Sequence, residues 1–317
     1  MVKLILTNTC RLLLSIVFLF SGFVKLNDPV GMSYKLADYL MAMHIDALNG
    51  MTTILAGALG FVEFMLGVYL LLGLSRRITA IITLVFTLCL TLISLYIYST
   101  NAVQDCGCFG DVIHLSHGGT LLKNIILLVA AVIVLRGCKE EIKLLFGCLG
   151  WLSGLVIEVV ALCYVVWCWL TLPVIDFSLY REGTDMMEKV SLKDAPEVMV
   201  ERYVANDFYL QDSLGEDITA QVMAQDEAYL IIAPDIKETN QGSMTEVNDL
   251  YEEAQEKNAG FYFITASSKE DWERYCYETS TSYPMYKGDE RVLKTVVRAN
   301  PGLVVLKKGV IEKKRKL

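Results

Sequence analysis

From Ile78 to Gln104 the chain runs for 27 residues without a charged side chain. About 20 mainly apolar residues of helix cross the hydrocarbon core of a bilayer. Lipid offers no partner for a free backbone N–H or C=O, so such a run has to be helical. This stretch alone argues against a soluble all-helical domain. Between Asp46 and Arg76 the only charge is Glu63, and between Lys143 and Asp176 the only charge is Glu158. Leu4–Val24, broken by Arg11, and Val112–Leu135, broken by Lys123, are weaker versions of the same pattern. Five spans are predicted, over 7–26, 52–73, 78–98, 119–136 and 149–172. Lys3 ahead of an apolar run has the outline of a signal peptide. The apolar core continues past Gly22 and further spans follow at once, which favours a retained first helix.

The charge balance divides the chain. Residues 1–175 hold 10 Lys/Arg and 9 Asp/Glu, and the other 142 hold 18 and 27, so +1 and −9 make up the net −8. A second, water-soluble part is expected behind the membrane part. Its acidity argues against nucleic acid as a partner, since binding to phosphate needs a basic face. The cluster Lys307, Lys308, Lys313, Lys314, Arg315 and Lys316 is read as a solvated tail. The expected organisation is a four-helix membrane domain over 1–145, a fifth transmembrane helix over 146–175, a surface-lying connector over 176–196 and a soluble domain over 197–317. Lys3, Arg11, Arg76, Arg77, Arg136, Lys139 and Lys143 fall on one side of the five spans. By the positive-inside rule that side is cytoplasmic, which puts the loop around Cys106 and the C-terminal domain outside. Lys25 and Lys35 lie on the opposite side and weaken the count.

In the soluble part, strand and helix signals alternate. Strands are expected over Val198–Val204, Phe208–Gln211, Ala228–Ala233 and Gly260–Ala266, with a turn at Ser213–Glu216. Met244–Asn258 has helical spacing, with Ser243 as its cap and Glu246 at the capping-box position, and Ser268–Ser280 is a second helix. Gly302–Leu306 and Val310–Lys313 make a hairpin across Lys308-Gly309. The pattern predicts an α/β sandwich.

Of nine cysteines, Cys10, Cys89, Cys138, Cys148, Cys163, Cys168 and Cys276 read as small apolar packing residues. Cys106 and Cys108 differ. They sit two apart in a loop with Gly107 and Gly110, between Asp105 and Asp111. A Cys-X-Cys pair can close a strained, exchangeable disulfide on an oxidising side of the membrane. Two other readings stay open: a structural turn, or a metal site in which Cys106 and Cys108 join His114 and His117 in a tetrahedral set. The acidic flanks oppose a low thiol pKa.

Ionisable groups inside a membrane are costly and point to the bundle interior, a partner or the interface. Glu63 and Lys123 are candidate bundle-interior polar residues. Glu63 is either a proton-handling group or half of a buried ion pair with Arg11. Lys25 is expected to snorkel to the headgroups.

Several of these residues fall into a pattern. Arg11-Leu-Leu-Leu-Ser, then Phe18 through Lys25-Leu26, then Asp28-Pro29, resembles the opening of DoxX-like membrane proteins. Glu63, the string Asp105-Cys-Gly-Cys-Phe-Gly-Asp111 and Lys123-Asn124 resemble the MauE branch of that group. The resemblance covers about residues 8–136. With a fifth helix followed by Asp176-Phe177 and Tyr180-Arg181, the chain is similar to redox-associated MauE/DoxX proteins of the Bacteroidetes type. The resemblance implies a bacterial inner-membrane protein with a thiol–disulfide or quinone-linked theme; MauE itself is implicated in maturing a disulfide-rich enzyme subunit. The soluble part resembles a degenerate thioredoxin-like domain, with Asn300-Pro301-Gly302 at the cis-proline corner. Thioredoxins carry Cys-X-X-Cys after the first central strand, whereas 234–244 here holds no cysteine.

Two functions are expected to compete. In one, Cys106 and Cys108 pass electrons between an extracytoplasmic thiol protein and a membrane carrier such as quinone. In the other, the protein is a non-enzymatic assembly factor or scaffold whose soluble domain docks a client subunit. A transporter would show Gly/Pro-broken paired helices, and none is evident.

Overall fold

A computed structural model describes residues 2–103, 107–137, 147–186, 208–239 and 241–317. It divides into two compact units, Met1–Val174 and Ile175–Leu317. The expected strand over 198–204, the end of the connector, Cys106 and Cys138 lie outside the described residues.

The first unit is helical: α1 (Val2–Asn27), α2 (Pro29–Ala42), α3 (Thr52–Leu72), α4 (Arg76–Thr100), α5 (His117–Gly137) and α6 (Gly147–Leu170). All but α2 contain a segment long and apolar enough to span a bilayer; in α6 it is Leu152–Leu170. Large apolar side chains such as Leu92, Val129 and Val160 are more than half exposed, as lipid-facing groups are. The interior combines apolar clusters, such as Leu14, Phe18, Leu66 and Leu127, with small and polar residues along the helix seams. A Cβ on Gly22 would come within 2.3 Å of the Phe64 backbone nitrogen, and one on Gly67 within 2.6 Å of the Leu19 nitrogen. Only glycine lets α1 and α3 approach this closely, the usual device where lipid removes the hydrophobic drive between helices. Ser15 Oγ donates to the Gly67 carbonyl at 2.8 Å along the same seam. Asn124 links α5 to α4, donating to Ser94 Oγ and to the Leu90 carbonyl.

Helix α2 is absent from the sequence-based reading. Its start has a physical signature: Asp28 caps it by accepting from the Gly31 N–H at 2.7 Å, and Pro29 occupies the first turn, where its missing N–H costs nothing.

The second unit is built on a five-stranded mixed sheet. After α7 (Thr219–Met223) come β1 (Ala228–Ile232), α8 (Met244–Glu256), β2 (Gly260–Thr265), α9 (Lys269–Thr279), β3 (Met285–Lys287), α10 (Glu290–Val296), β4 (Gly302–Lys307) and β5 (Val310–Lys316). The order is β3-β2-β1-β4-β5, with β1, β2 and β3 parallel and β4 and β5 antiparallel. Every residue of β1 is buried, which explains its unbroken apolar string. Tyr229, Ile231, Val247, Leu250, Phe263, Trp272 and Tyr275 form the core on one face of the sheet. The Asn300–Pro301 peptide is cis and precedes β4, at the corner expected from the sequence.

Several expectations need correction. Phe208–Gln211 is not a strand; Gln211 makes single bridges to Asp217 and Lys287. Ser243 makes no capping bond, because a turn of 3-10 helix over Gln241–Ser243 already leads into α8, and Glu246 pairs with Arg315 instead. The basic "tail" is part of the β4–β5 hairpin: Lys307 ends β4, Lys308 is in the turn, and Lys313 to Lys316 lie in β5. Its Lys314 is 6% exposed, bonded to Asp176 Oδ2 at 2.7 Å and to the Tyr180 carbonyl at 2.9 Å. The connector packs one side inward at 178–186: Tyr180 and Met186 are buried while Arg181, Glu182 and Asp185 are exposed, and the backbone of Gly183, Thr184 and Met186 bonds to the β5 hairpin at Ile311 and Gly309.

Candidate functional site

The loop after α4 makes two consecutive tight turns. The Gly110 N–H bonds the Gly107 carbonyl at 3.1 Å and the Val112 N–H bonds the Phe109 carbonyl at 3.2 Å. Gly107 and Gly110 have φ of +58° and +57°, a conformation that L side chains resist. Their missing side chains also make room: a Cβ on Gly107 would lie 2.7 Å from Lys35 Cδ, and one on Gly110 would lie 2.6 Å from Val24 Cγ1. The loop is therefore pressed against α1 and α2.

Three lysines from three helices hold it. Lys25 of α1 donates to the Cys108 carbonyl at 2.8 Å. Lys35 of α2 donates to the Gly110 carbonyl at 3.1 Å and to Asp111 Oδ1 at 2.8 Å. Lys123 of α5 places its ammonium 4.7 Å from the Phe109 ring centroid, a cation–π contact. Phe109 also packs on Phe20, with ring centroids 5.5 Å apart. Cys108 carries a free thiol, half-buried against Ile97, Val103 and Tyr39.

Behind the loop lies a buried polar network. Lys25 is 4% exposed, and its ammonium stands 2.5 Å from Glu63 Oε2, 2.7 Å from Ser21 Oγ and 2.8 Å from the Cys108 carbonyl. An ammonium has three protons, and these are its three short contacts; the Ser21 carbonyl lies farther off, at 3.4 Å. The Ser21 hydroxyl has one proton and its short contact is again the Cys108 carbonyl, at 2.7 Å, so both lone pairs of that oxygen are occupied. Two expectations are thereby corrected. Lys25 does not snorkel, because Glu63 offers a desolvated charge partner within reach. Glu63 does not pair with Arg11, whose guanidinium lies by Gly73 at the far end of α3.

Glu63 is buried and reaches the loop through Lys25, whereas Lys123 is only partly buried and meets the loop at Phe109. Cys106, and with it the four-residue set with Cys108, His114 and His117, lies outside the described residues. Among the described residues no three of His, Cys, Asp and Glu converge on a metal position. Ser21 and Lys35 are site residues that sequence reading passed over. A serine inside an apolar run was the available signal for the first. For the second it was Asp28-Pro29, which announces the helix that carries it.

A second intramembrane acid, Glu158 of α6, accepts a bond from the Tyr69 hydroxyl of α3. Between the same two helices lies an apolar groove of about 260 Å³, lined by Pro29, Gly57, Phe61, Leu162, Val165 and Trp169.

In the second unit, the segment after β1 is closed by hydrogen bonds. Asn300 Nδ2 donates to the Asp235 carbonyl at 2.7 Å and Thr239 Oγ1 donates to Asn300 Oδ1 at 3.0 Å. Cys276 packs half-buried against the sheet core, and burial pushes its thiol pKa up, away from the reactive thiolate.

No curated protein and no solved structure matches the chain. The family described as methylamine utilisation protein MauE matches residues 3–137, a stretch that ends with α5 and contains the loop together with Ser21, Lys25, Lys35, Glu63 and Lys123. Residues 3–137 are thus a MauE-like membrane segment, and a further apolar helix and a mixed-sheet domain follow it.

Proposed function

We propose that this protein handles thiol–disulfide equivalents at the membrane through Cys106 and Cys108. The observation that carries the reading is the grip of Lys25, Lys35 and Lys123 on the Cys108-Phe109-Gly110 turn. Three costly charges from three helices converge on one short loop, a larger investment than a turn between two helices needs. Closing the pair to a disulfide releases two electrons and two protons, which a quinone would take up to become a quinol. A dithiol on an extracytoplasmic protein would then reduce the pair by exchange and leave with the disulfide. The apolar groove between α3 and α6 suits the isoprenoid chain of such a carrier. The matched family's name, methylamine utilisation, fits an electron-transfer setting. The reading further takes the loop and the second domain to be extracytoplasmic at a bacterial inner membrane. The two lysines on the extracytoplasmic side in this reading, Lys25 and Lys35, are paired with Glu63 and Asp111.

Thiol trapping in growing cells tests it. The Cys106–Cys108 pair is expected to be found in both states and to shift towards the dithiol when the quinone pool is reduced. A pair that never changes state would sink the idea. Cys106→Ala and Cys108→Ala should each abolish exchange.

One observation favours a second role for the second unit. Its sheet order and the cis Asn300–Pro301 corner support a thioredoxin-like reading, yet the place of the redox cysteines is a loop tied down by Asn300 and Thr239. Such a domain would dock a client subunit and leave the exchange to the membrane loop. In a purely scaffolding protein, the double cysteine variant would retain full function.

A further inference from the structure

We infer that the buried Lys25–Glu63 pair acts as a positioning device for Cys108, fixing the loop by its backbone carbonyl and presenting an ammonium to a sulfur that becomes anionic during exchange. This deepens the exchange reading and rests on it for its purpose, but its geometry and its test do not need a redox partner.

The pair is oriented. Glu63 stands behind Lys25, away from the loop: its Oε2 meets Lys25 Nζ and Ser21 Oγ, while the ammonium and the hydroxyl both reach forward to the Cys108 carbonyl. A neutral pair thus shows its positive end to the cysteine. The sulfur is four bonds from that carbonyl oxygen, which covalent geometry keeps within a few ångströms. Among the described residues, the other charges that touch the loop do not cancel this. Asp111, one of the two acidic flanks expected to oppose a thiolate, is neutralised by Lys35 at 2.8 Å. Lys123 adds a second ammonium over Phe109 and has no carboxylate in ion-pair reach among the described residues. In a low-dielectric site, fixed dipoles and charges of this kind act with little reorganisation. Packing alone would not call for the arrangement. An apolar pair of similar volume fills a helix seam with less desolvation cost.

The test reads the electrostatic potential at the Cys108 sulfur. In the full chain in membranes, with Cys108 as the sole cysteine, the modification rates by an anionic and a cationic methanethiosulfonate reagent are compared. Their ratio cancels the thiolate fraction and general accessibility. Lys25→Met should lower the anionic-to-cationic ratio by roughly fivefold, and Glu63→Gln should raise it by about as much. An unchanged ratio in folded protein overturns the proposal. So does a shift in the same direction in both variants, which mere loosening of the loop would give. If a single variant does not fold, the neutral double variant Lys25→Met/Glu63→Gln leaves no unpaired charge, and its ratio must fall below that of the unaltered loop; equality overturns the proposal. A pair that never cycles in cells would remove the exchange reading and leave these ratios as they are.

Discussion

Lys25 shows how one residue's meaning depends on what the fold sets beside it. By position it belongs to the headgroup region, and long side chains usually snorkel there. Glu63 changes the balance, because an ammonium that meets a carboxylate, a hydroxyl and a carbonyl at 2.5–2.8 Å has replaced its water. Removing one partner leaves the other charged and buried. Lys25→Met should therefore destabilise the helical unit by about 3 kcal/mol, and Lys25→Met/Glu63→Gln by clearly less. Thermal scanning of the detergent-solubilised chain measures both. Cys276 makes the opposite point: burial raises its thiol pKa. It should resist maleimide at neutral pH in the native protein and react on unfolding, as mass spectrometry would show. Sequence identified Glu63, Lys123 and the cysteine loop as unusual, because charge and glycine stand out against an apolar background. The cation it offered for one of the two readings of Glu63, Arg11, was the wrong one, since which side chains meet depends on the phase between α1 and α3, and a helix-wide apolar pattern does not encode that phase.

At the scale of elements, the five spanning helices were legible because lipid imposes a length and a composition that few soluble helices meet. Helix α2 was not legible as a helix of its own, since it is too short for that criterion and its charges suggested a loop. Its contribution to the site is Lys35. The seam between α1 and α3 depends on glycine, where a Cβ would enter the facing backbone. Gly22→Ala should cost about 2–3 kcal/mol as overpacking, and Gly67→Ala about the same. Exposed Leu92→Ala should cost nothing comparable. Melting temperatures in one detergent would rank the three. The hairpin strand at Val310–Lys313 was legible, but its continuation to Lys316 was read as a tail because of its Lys/Arg content; consecutive strand residues point to opposite faces, and Lys314 and Arg315 each meet a partner there, Asp176 and Glu246.

At the scale of the whole chain, the contrast in charge between the halves is the contrast between two solvents. Among the described residues, the membrane unit buries Lys25 with Glu63, whereas most charges of the acidic unit are exposed or partly exposed. One pair in the acidic unit is an exception. Burial pushes the Asp176 carboxyl pKa up, but Lys314 and Ser178 outweigh it and hold it below the ordinary value. A depressed carboxyl stabilises the fold fully above its unfolded pKa, near 4 for aspartate, and loses that contribution as the pH falls through its folded value. Asp176→Asn should thus lower stability at pH 7 by about 2 kcal/mol, between the surface and fully buried cases. The deficit should close at acid pH, and a pH series of unfolding curves would follow it. The same packing has an effect on association. The 183–186 segment bonds along the β5 hairpin, and Gln211 exchanges both backbone hydrogen bonds with Lys287 of β3. Each border strand of the sheet already has a neighbour, so a foreign strand finds little backbone to zip onto. Whatever this unit recruits must be recognised by side chains, which makes it selective about its guests and guards it against stacking on copies of itself.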